Sequence, residues 1–465
     1  MTATASAVPG TAVAALRDRV GGALVLPDEP SYAEAARGWN LAVAPAPALV
    51  VRAASEGHVR DAVRCASQAG LTVSVMATGH GLAAGCHGGL LISTGRLRGV
   101  RVDAATGTAT VAAGARWSDL MAAAEPHGLT GLPGSSPDVG VVGYSLGGGL
   151  GWLARRYGLA AHDIVSARVV TADGDVVTAS EHQHQDLLRG LRGGAAVGLG
   201  VVTSLRLRLH RLPRVYSGSI VYPLDRMADV LASFRAWAPG TPAAFTGAVA
   251  VTSYPPSAPV PPALRGARRV VVRGAFCGEP DAGSRLLDQI RAAVGPALLD
   301  TFTSRPPSDL AAVSTDPAGP LAFLQRAELL PDITQEVIAA LVEHVGPGAQ
   351  SPLAMVELRL LGGALSDRAD ALSPMAHTRA RYTLNALGPV PTPPARQAVR
   401  AALDRLFAAV ADSTTGETYL NFLNGDDATP QRVRAAYTRD DWAELARLQD
   451  RYDPGRTFRS GRDAR

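Results

Sequence analysis

Two glycine-bearing segments hold the residues most suited to chemistry. The first is Met76-Ala-Thr-Gly-His-Gly81, which places Thr78, Gly79, His80 and Gly81 directly after an apolar stretch. Glycines there let backbone amides approach a ligand closely, and consecutive amides form an anion-binding nest that suits a pyrophosphate. The second runs Gly134-Ser-Ser-Pro-Asp-Val-Gly140, then Val-Val-Gly143-Tyr-Ser-Leu-Gly147-Gly-Gly149-Leu-Gly151. Seven glycines within 18 residues would cost much chain entropy if they only built a surface loop. Backbone wrapped on a flat ligand is expected instead, through Gly140, Gly143, Gly147, Gly148 and Gly149. Neither cluster is the Rossmann fingerprint. The spacing Gly79, Gly81, Gly85 is one residue too long, and Asp103, the acid at about the right distance, opens a turn.

A further pair lies far downstream. Glu357 and Arg359 share one face of an expected strand, Met355–Leu360. Charges on an otherwise apolar strand are either solvated or point into a cavity.

The elements that must position these groups follow from periodicity. Short strands are expected at Ala48–Arg52, Leu71–Ala77, Leu90–Ser93 and Thr108–Ala112, with helices over Gly57–Ala69 and Arg116–Glu125. Val165–Thr171 and Asp175–Ala179 flank an Asp-Gly turn and predict a hairpin, and Gly200–His210 alternates like a half-buried strand. Beyond about Leu212 the pattern changes. A proline-rich loop, Tyr254–Ala263, precedes strands at Arg269–Phe276 and Pro352–Leu361 and helices at Asp281–Val294 and Thr334–Val345.

Composition removes several function classes. All 45 basic residues are arginine, so there is no lysine for a Walker phosphate loop or a Schiff base. The arginines are interspersed with 41 acids, and only 5% of residues are aromatic, which argues against a nucleic-acid partner. Cys65, Cys86 and Cys277 form neither a disulfide framework nor a metal pair, so no metal is expected. The start of the chain lacks the features of a signal peptide, and no stretch approaches the roughly 20 apolar residues of a membrane span. A cytoplasmic protein without a membrane partner is expected, as monomer or homodimer.

Taken together, the motifs resemble a known family. ATGHG followed by GSSPDVGVVGYSLGGGLG is similar to the FAD-binding domain of the vanillyl-alcohol oxidase superfamily, in its berberine bridge enzyme-like branch. Leu191-Arg-Gly-Gly194 through Val201-Val-Thr203 resembles that family's LRGGGGNFGVVT element, Tyr419-Leu-Asn421 its YxN motif, and Arg451-Tyr-Asp-Pro454 to Arg459 its terminal YDPxNxFR. The resemblance implies an α+β fold. A two-part FAD-binding domain of the PCMH type (residues 1–212 and 411–465) would enclose an α+β substrate domain, 213–410, built on an antiparallel sheet.

It also implies roles. His80 matches the histidine bonded to the flavin 8α-methyl. Ser136 stands where bicovalent relatives carry cysteine, so FAD held by a single covalent link is expected. Thr78, Gly79, Gly81, Val201 and Asn421 join the glycines of the second cluster as cofactor contacts, and Val139 sits where relatives regulate oxygen access. Tyr419 corresponds to the family's proton acceptor, sharing one face of a strand with Asn421; Tyr144 is a competing phenol and Glu357 a further catalytic candidate. His377 lies in a loop resembling the PHR element. Met76 replaces a common arginine, and the asparagine of GGGGNFG is missing from residues 193–200. The implied activity is an FAD-linked oxidase. It would remove hydride from a C–H bond alpha to oxygen or nitrogen of a small secondary metabolite, with dioxygen as acceptor. A dehydrogenase with another acceptor, or a non-redox cyclase or binding protein, are the alternatives.

Overall fold

The computed structural model describes residues 8–81, 86–258, 260–317, 319–367, 373–375 and 380–459; His377 lies outside them. Three large sheets organise the described residues, beside a two-stranded one that pairs Leu129–Thr130 with His210–Arg211. The first has four strands in the order Leu24–Val25, Leu49–Arg52, Leu90–Ser93, Val73–Met76. Its last three strands are parallel, because the helix Glu56–Gln68 carries the chain across between two of them. That helix buries Val59, Ala62, Val63 and Ala66, the i, i+3, i+4, i+7 stripe of an amphipathic helix. The Ser55 hydroxyl caps it, accepting from the amide of His58 at 3.2 Å.

The second sheet is antiparallel, in the order Val100–Asp103, Thr108–Ala112, Val201–Arg208, Ile164–Val170, Val176–Ser180. The hairpin turn and the alternating strand expected there are both present. The C-terminal residues return to the first sheet. The amide of Val73 donates to the carbonyl of Thr457 at 2.6 Å, and the amide of Arg459 to the carbonyl of Val73 at 2.7 Å. On this course a division into residues 1–212, 213–410 and 411–465 is proposed.

The third sheet has eight antiparallel strands. Val215–Pro223, Arg268–Phe276, Phe245–Ser253, Met355–Leu360, Tyr382–Pro389 and Phe323–Leu330 follow one another across it. Its side chains divide by parity, as the period of two requires. Val272, Val356, Leu358, Leu384 and Ala386 enter an apolar core shared with the helices Met227–Trp237, Pro280–Val294, Gln335–Val345 and Pro393–Ala409. Arg273, Met355, Glu357, Arg359, Asn385 and Leu387 take the other face and line a cavity. The expected α+β architecture with a large antiparallel sheet is therefore observed.

No helix among the described residues is long and apolar enough to cross a membrane.

Candidate active site

A cavity of about 510 Å³ runs from the first glycine-bearing turn to the third sheet. Thr78, Gly79, His80, Gly81, Ser136, Val139, Gly140, Gly143, Tyr144, Val201, Glu357 and Asn421 all line it. The turn at Gly79 has φ +74°, and a Cβ there would lie 2.5 Å from the Cα of Gly38. Only glycine fits that crossing. The segment Ser136–Gly140 is held by backbone bonds from the amides of Trp117 and Ser118 to the carbonyls of Val139 and Pro137, and by an Arg116–Asp138 ion pair at 2.9 Å.

His80 is fixed on two sides. Its Nδ1 lies 2.9 Å from the Thr78 hydroxyl oxygen, which also accepts from the amide of Gly140 at 3.3 Å. The Trp39 ring stacks on the imidazole, with centroids 4.6 Å apart and planes at 20°. Its Nε2 is buried, and no group among the described residues hydrogen-bonds it. Burial lowers the pKa to about 4, with Asp138 opposing and Arg116 assisting the shift. The ring is therefore neutral near pH 7, with a lone pair available for bonding. Cys86 also touches this cavity, but burial pushes its thiol up and its sulfur donates to the carbonyl of Gly88 at 3.3 Å.

The second cluster departs from expectation in an instructive way. Gly147, Gly148 and Gly149 do not line the cavity. Each admits a side chain instead. A Cβ on Gly147 would fall 1.8 Å from Oδ1 of Asn421, one on Gly148 2.8 Å from the Tyr419 hydroxyl, and one on Gly149 2.6 Å from the Tyr144 ring. The triple glycine is thus required by close side-chain packing, and of this cluster's glycines Gly134, Gly140 and Gly143 line the cavity. The Asn421 amide completes this contact, donating to the carbonyl of Tyr144 at 2.9 Å. Gly147→Ala is expected to lose about 1–3 kcal/mol of stability by overpacking. Asn421→Ala should relieve much of that loss if the contact is the cause, as a double-mutant cycle by thermal or denaturant unfolding will measure.

Tyr419 and Asn421 do not share a strand face. Residues 420–422 form one turn of 3₁₀ helix, so Asn421 reaches the large cavity while Tyr419 lines a smaller one of about 20 Å³ with Met375 and His162. Tyr144 lines the large cavity, its ring edge-on to Trp117 at 5.5 Å. Its hydroxyl is buried with no partner among the described residues. Burial pushes this phenol well above its ordinary pKa, against a smaller pull from Arg359. It is a neutral donor.

Glu357 is 2% exposed and lies between two guanidinium groups. One oxygen accepts from Arg273 Nε at 2.8 Å, the other from Arg359 Nε at 3.0 Å. Burial alone would raise this carboxyl; the two arginines outweigh it and hold the pKa below the usual carboxylate range. Beside it a second polar chain crosses the sheet. Asn424 donates to Gln325 at 2.9 Å, and Gln325 to Asn385 at 2.8 Å. Arg273, Gln325, Asn385, Asn424 and Trp39 were not singled out from sequence. The arginine that follows three valines in Val-Val-Val-Arg273 and the lone asparagine in Tyr-Thr-Leu-Asn385 carry the same signal as Glu357.

A buried nitrogen awaiting a partner, glycine turns open to close approach and a polar sheet roofing the same cavity suit a flat dinucleotide such as FAD. The comparisons agree. The model of an FAD binding domain matches residues 47–180. The chain is 33% identical over 223 residues to (R)-6-hydroxynicotine oxidase of Paenarthrobacter nicotinovorans, covering 47% of this chain and 45% of that one. It spans about half the length of that oxidase and of similar curated relatives. In structure it matches 6-hydroxy-D-nicotine oxidase from Arthrobacter nicotinovorans with a TM-score of 0.81 at 25% identity, over 95% of this chain and 97% of that one. A berberine bridge enzyme-like protein of Physcomitrella patens shares the fold with a TM-score of 0.83, at 22% identity over 97% and 99% of the two chains. Residues 47–180 thus form an FAD binding domain, and the chain's relatives in sequence and neighbours in structure include FAD-linked oxidoreductases.

Proposed function

We propose that the protein is an FAD-linked oxidase of a small organic molecule, with FAD anchored by one covalent bond from His80. The observation that carries this reading is the continuity of one cavity from His80 to the polar face of the third sheet. FAD, when bound, supplies the redox step, accepting a hydride from a carbon alpha to oxygen or nitrogen and passing the electrons to dioxygen to give hydrogen peroxide.

The protein's own residues bind and orient. The backbone around Gly79–Gly81 and Gly140–Gly143 would hold the cofactor, and the neutral His80 would supply the nucleophilic nitrogen. Ser136 has no sulfur for a second bond. Tyr144 would hold the substrate through a hydrogen bond from its hydroxyl, while Glu357, kept ionised by two arginines, would accept a hydrogen bond from the substrate O–H or N–H, whose proton passes to solvent as the hydride leaves. Tyr419, the family's proton acceptor by resemblance, stands on the smaller cavity beside Gly148. We therefore assign substrate contact to Tyr144.

The test is anaerobic bleaching of the purified protein by candidate metabolites, followed by admission of air. Rapid return of colour with stoichiometric peroxide is expected, since Val139 lines the cavity with a small aliphatic side chain. Slow return in air alongside fast reduction of a quinone or dye would make the enzyme a dehydrogenase.

A further inference from the structure

The cavity wall on the third sheet holds more buried positive charge than negative. Arg273 and Arg359 are 4% and 6% exposed, and they share a single buried carboxylate, Glu357. Register explains how they meet. Ala248 pairs with Arg273 on one neighbouring strand and with Arg359 on the other, so the two arginines stand in one row with only a methyl group between them. Glu357, two residues before Arg359, reaches across and gives one oxygen to each. Arg359 also lies 4.1 Å over the Trp152 ring. No acceptor for its Nη1 is found among the described residues. The other acid lining the cavity, Asp316, is exposed and forms no ion pair with either arginine.

Two buried cations against one buried anion leave the wall one negative charge short. Such a charge is strongly disfavoured in a low-dielectric site unless a ligand completes it. A planar guanidinium with a free edge, set over an indole, matches a carboxylate in shape and charge.

We propose that the substrate carries a carboxylate, which docks on the Arg359–Arg273 row beside Glu357. The inference rests on the proposed oxidation only for calling the ligand a substrate. The binding site itself consists of residues of this chain.

The test is calorimetric titration of the purified flavoprotein with matched pairs of probes: benzoate against benzamide, and phenylacetate against phenylacetamide. The carboxylates are expected to bind about 10–100-fold more tightly, the range of a charge-assisted hydrogen bond. Arg359→Met should abolish the preference, and Arg359→Lys should keep part of it. Equal affinities in the unaltered protein, no binding of either carboxylate, or a preference that survives both Arg359→Met and Arg273→Met would overturn the proposal. An arginine row serving the cofactor instead would leave the ratio near one and shift the flavin's reduction potential on Arg359→Met, which also overturns it. The two proposals fail separately. A flavin-free protein that prefers carboxylates contradicts the oxidase reading alone, and a protein oxidising neutral substrates without the preference contradicts this one alone.

Discussion

Glu357→Leu is expected to destabilise the protein by about 3–5 kcal/mol, the loss that follows removal of one member of a buried ion pair. Leucine fills similar volume, so cavity formation contributes little. The loss comes from Arg273 and Arg359, which would face each other across Ala248 with no buried anion between them. Glu357→Gln keeps acceptor geometry at one oxygen and should fall between. A pair of charges that were merely solvated would show about 0–1 kcal/mol. Denaturant unfolding distinguishes the two, and an effect below about 1 kcal/mol for Glu357→Leu would show that the triad is not buried in solution.

Tyr144→Phe should have opposite effects on stability and on turnover. The hydroxyl is buried with no partner among the described residues, so in the ligand-free protein its removal should leave the melting temperature unchanged or raise it. A hydrogen bond that sets the reacting carbon in place is worth about 10²-fold in rate, the cost of a roughly 1 Å misplacement. Anaerobic flavin reduction by whichever substrate bleaches the protein should slow by that order. Tyr419→Phe should change reduction little, because Tyr419 packs in the core, 3% exposed and against Gly148, on the smaller cavity. If Tyr419→Phe alone slows reduction by a hundredfold or more, Tyr419 touches the substrate and the assignment to Tyr144 is wrong.

Much of the fold was legible from local pattern. Leu90–Ser93 and Thr108–Ala112 begin and end where periodicity puts them, and Asp103 opens its turn by accepting from the amides of Ala105 and Thr106. The strands Val215–Pro223, Phe245–Ser253, Phe323–Leu330 and Tyr382–Pro389 were not read in advance. Their inner faces are apolar and their opposite faces mix small, apolar and polar residues, so alternation is weak.

The glycine clusters pointed to the right cavity for reasons that only half apply. Glycine spacing reports that something approaches the backbone closely; it does not say whether a ligand or a neighbouring side chain does. At Gly147–Gly149 the neighbours are Asn421, Tyr419 and Tyr144. The YxN motif misled for a related reason. Its spacing places two side chains together only on a strand, and here a 3₁₀ turn separates them. Trp39 left no signal, because stacking on His80 depends on a backbone crossing at Gly38–Gly79 that joins distant parts of the sequence.

The flavin link is the central claim, and one measurement tests it most directly. Purified protein is precipitated with acid, washed, digested and analysed by mass. A yellow precipitate is predicted, with the peptide containing His80 heavier by the mass of one FAD less two hydrogens and no such addition on Cys86 or Ser136. His80→Ala should release all of its colour into the supernatant. Colourless precipitate from the unaltered protein, or FAD found on any residue other than His80, would contradict the account.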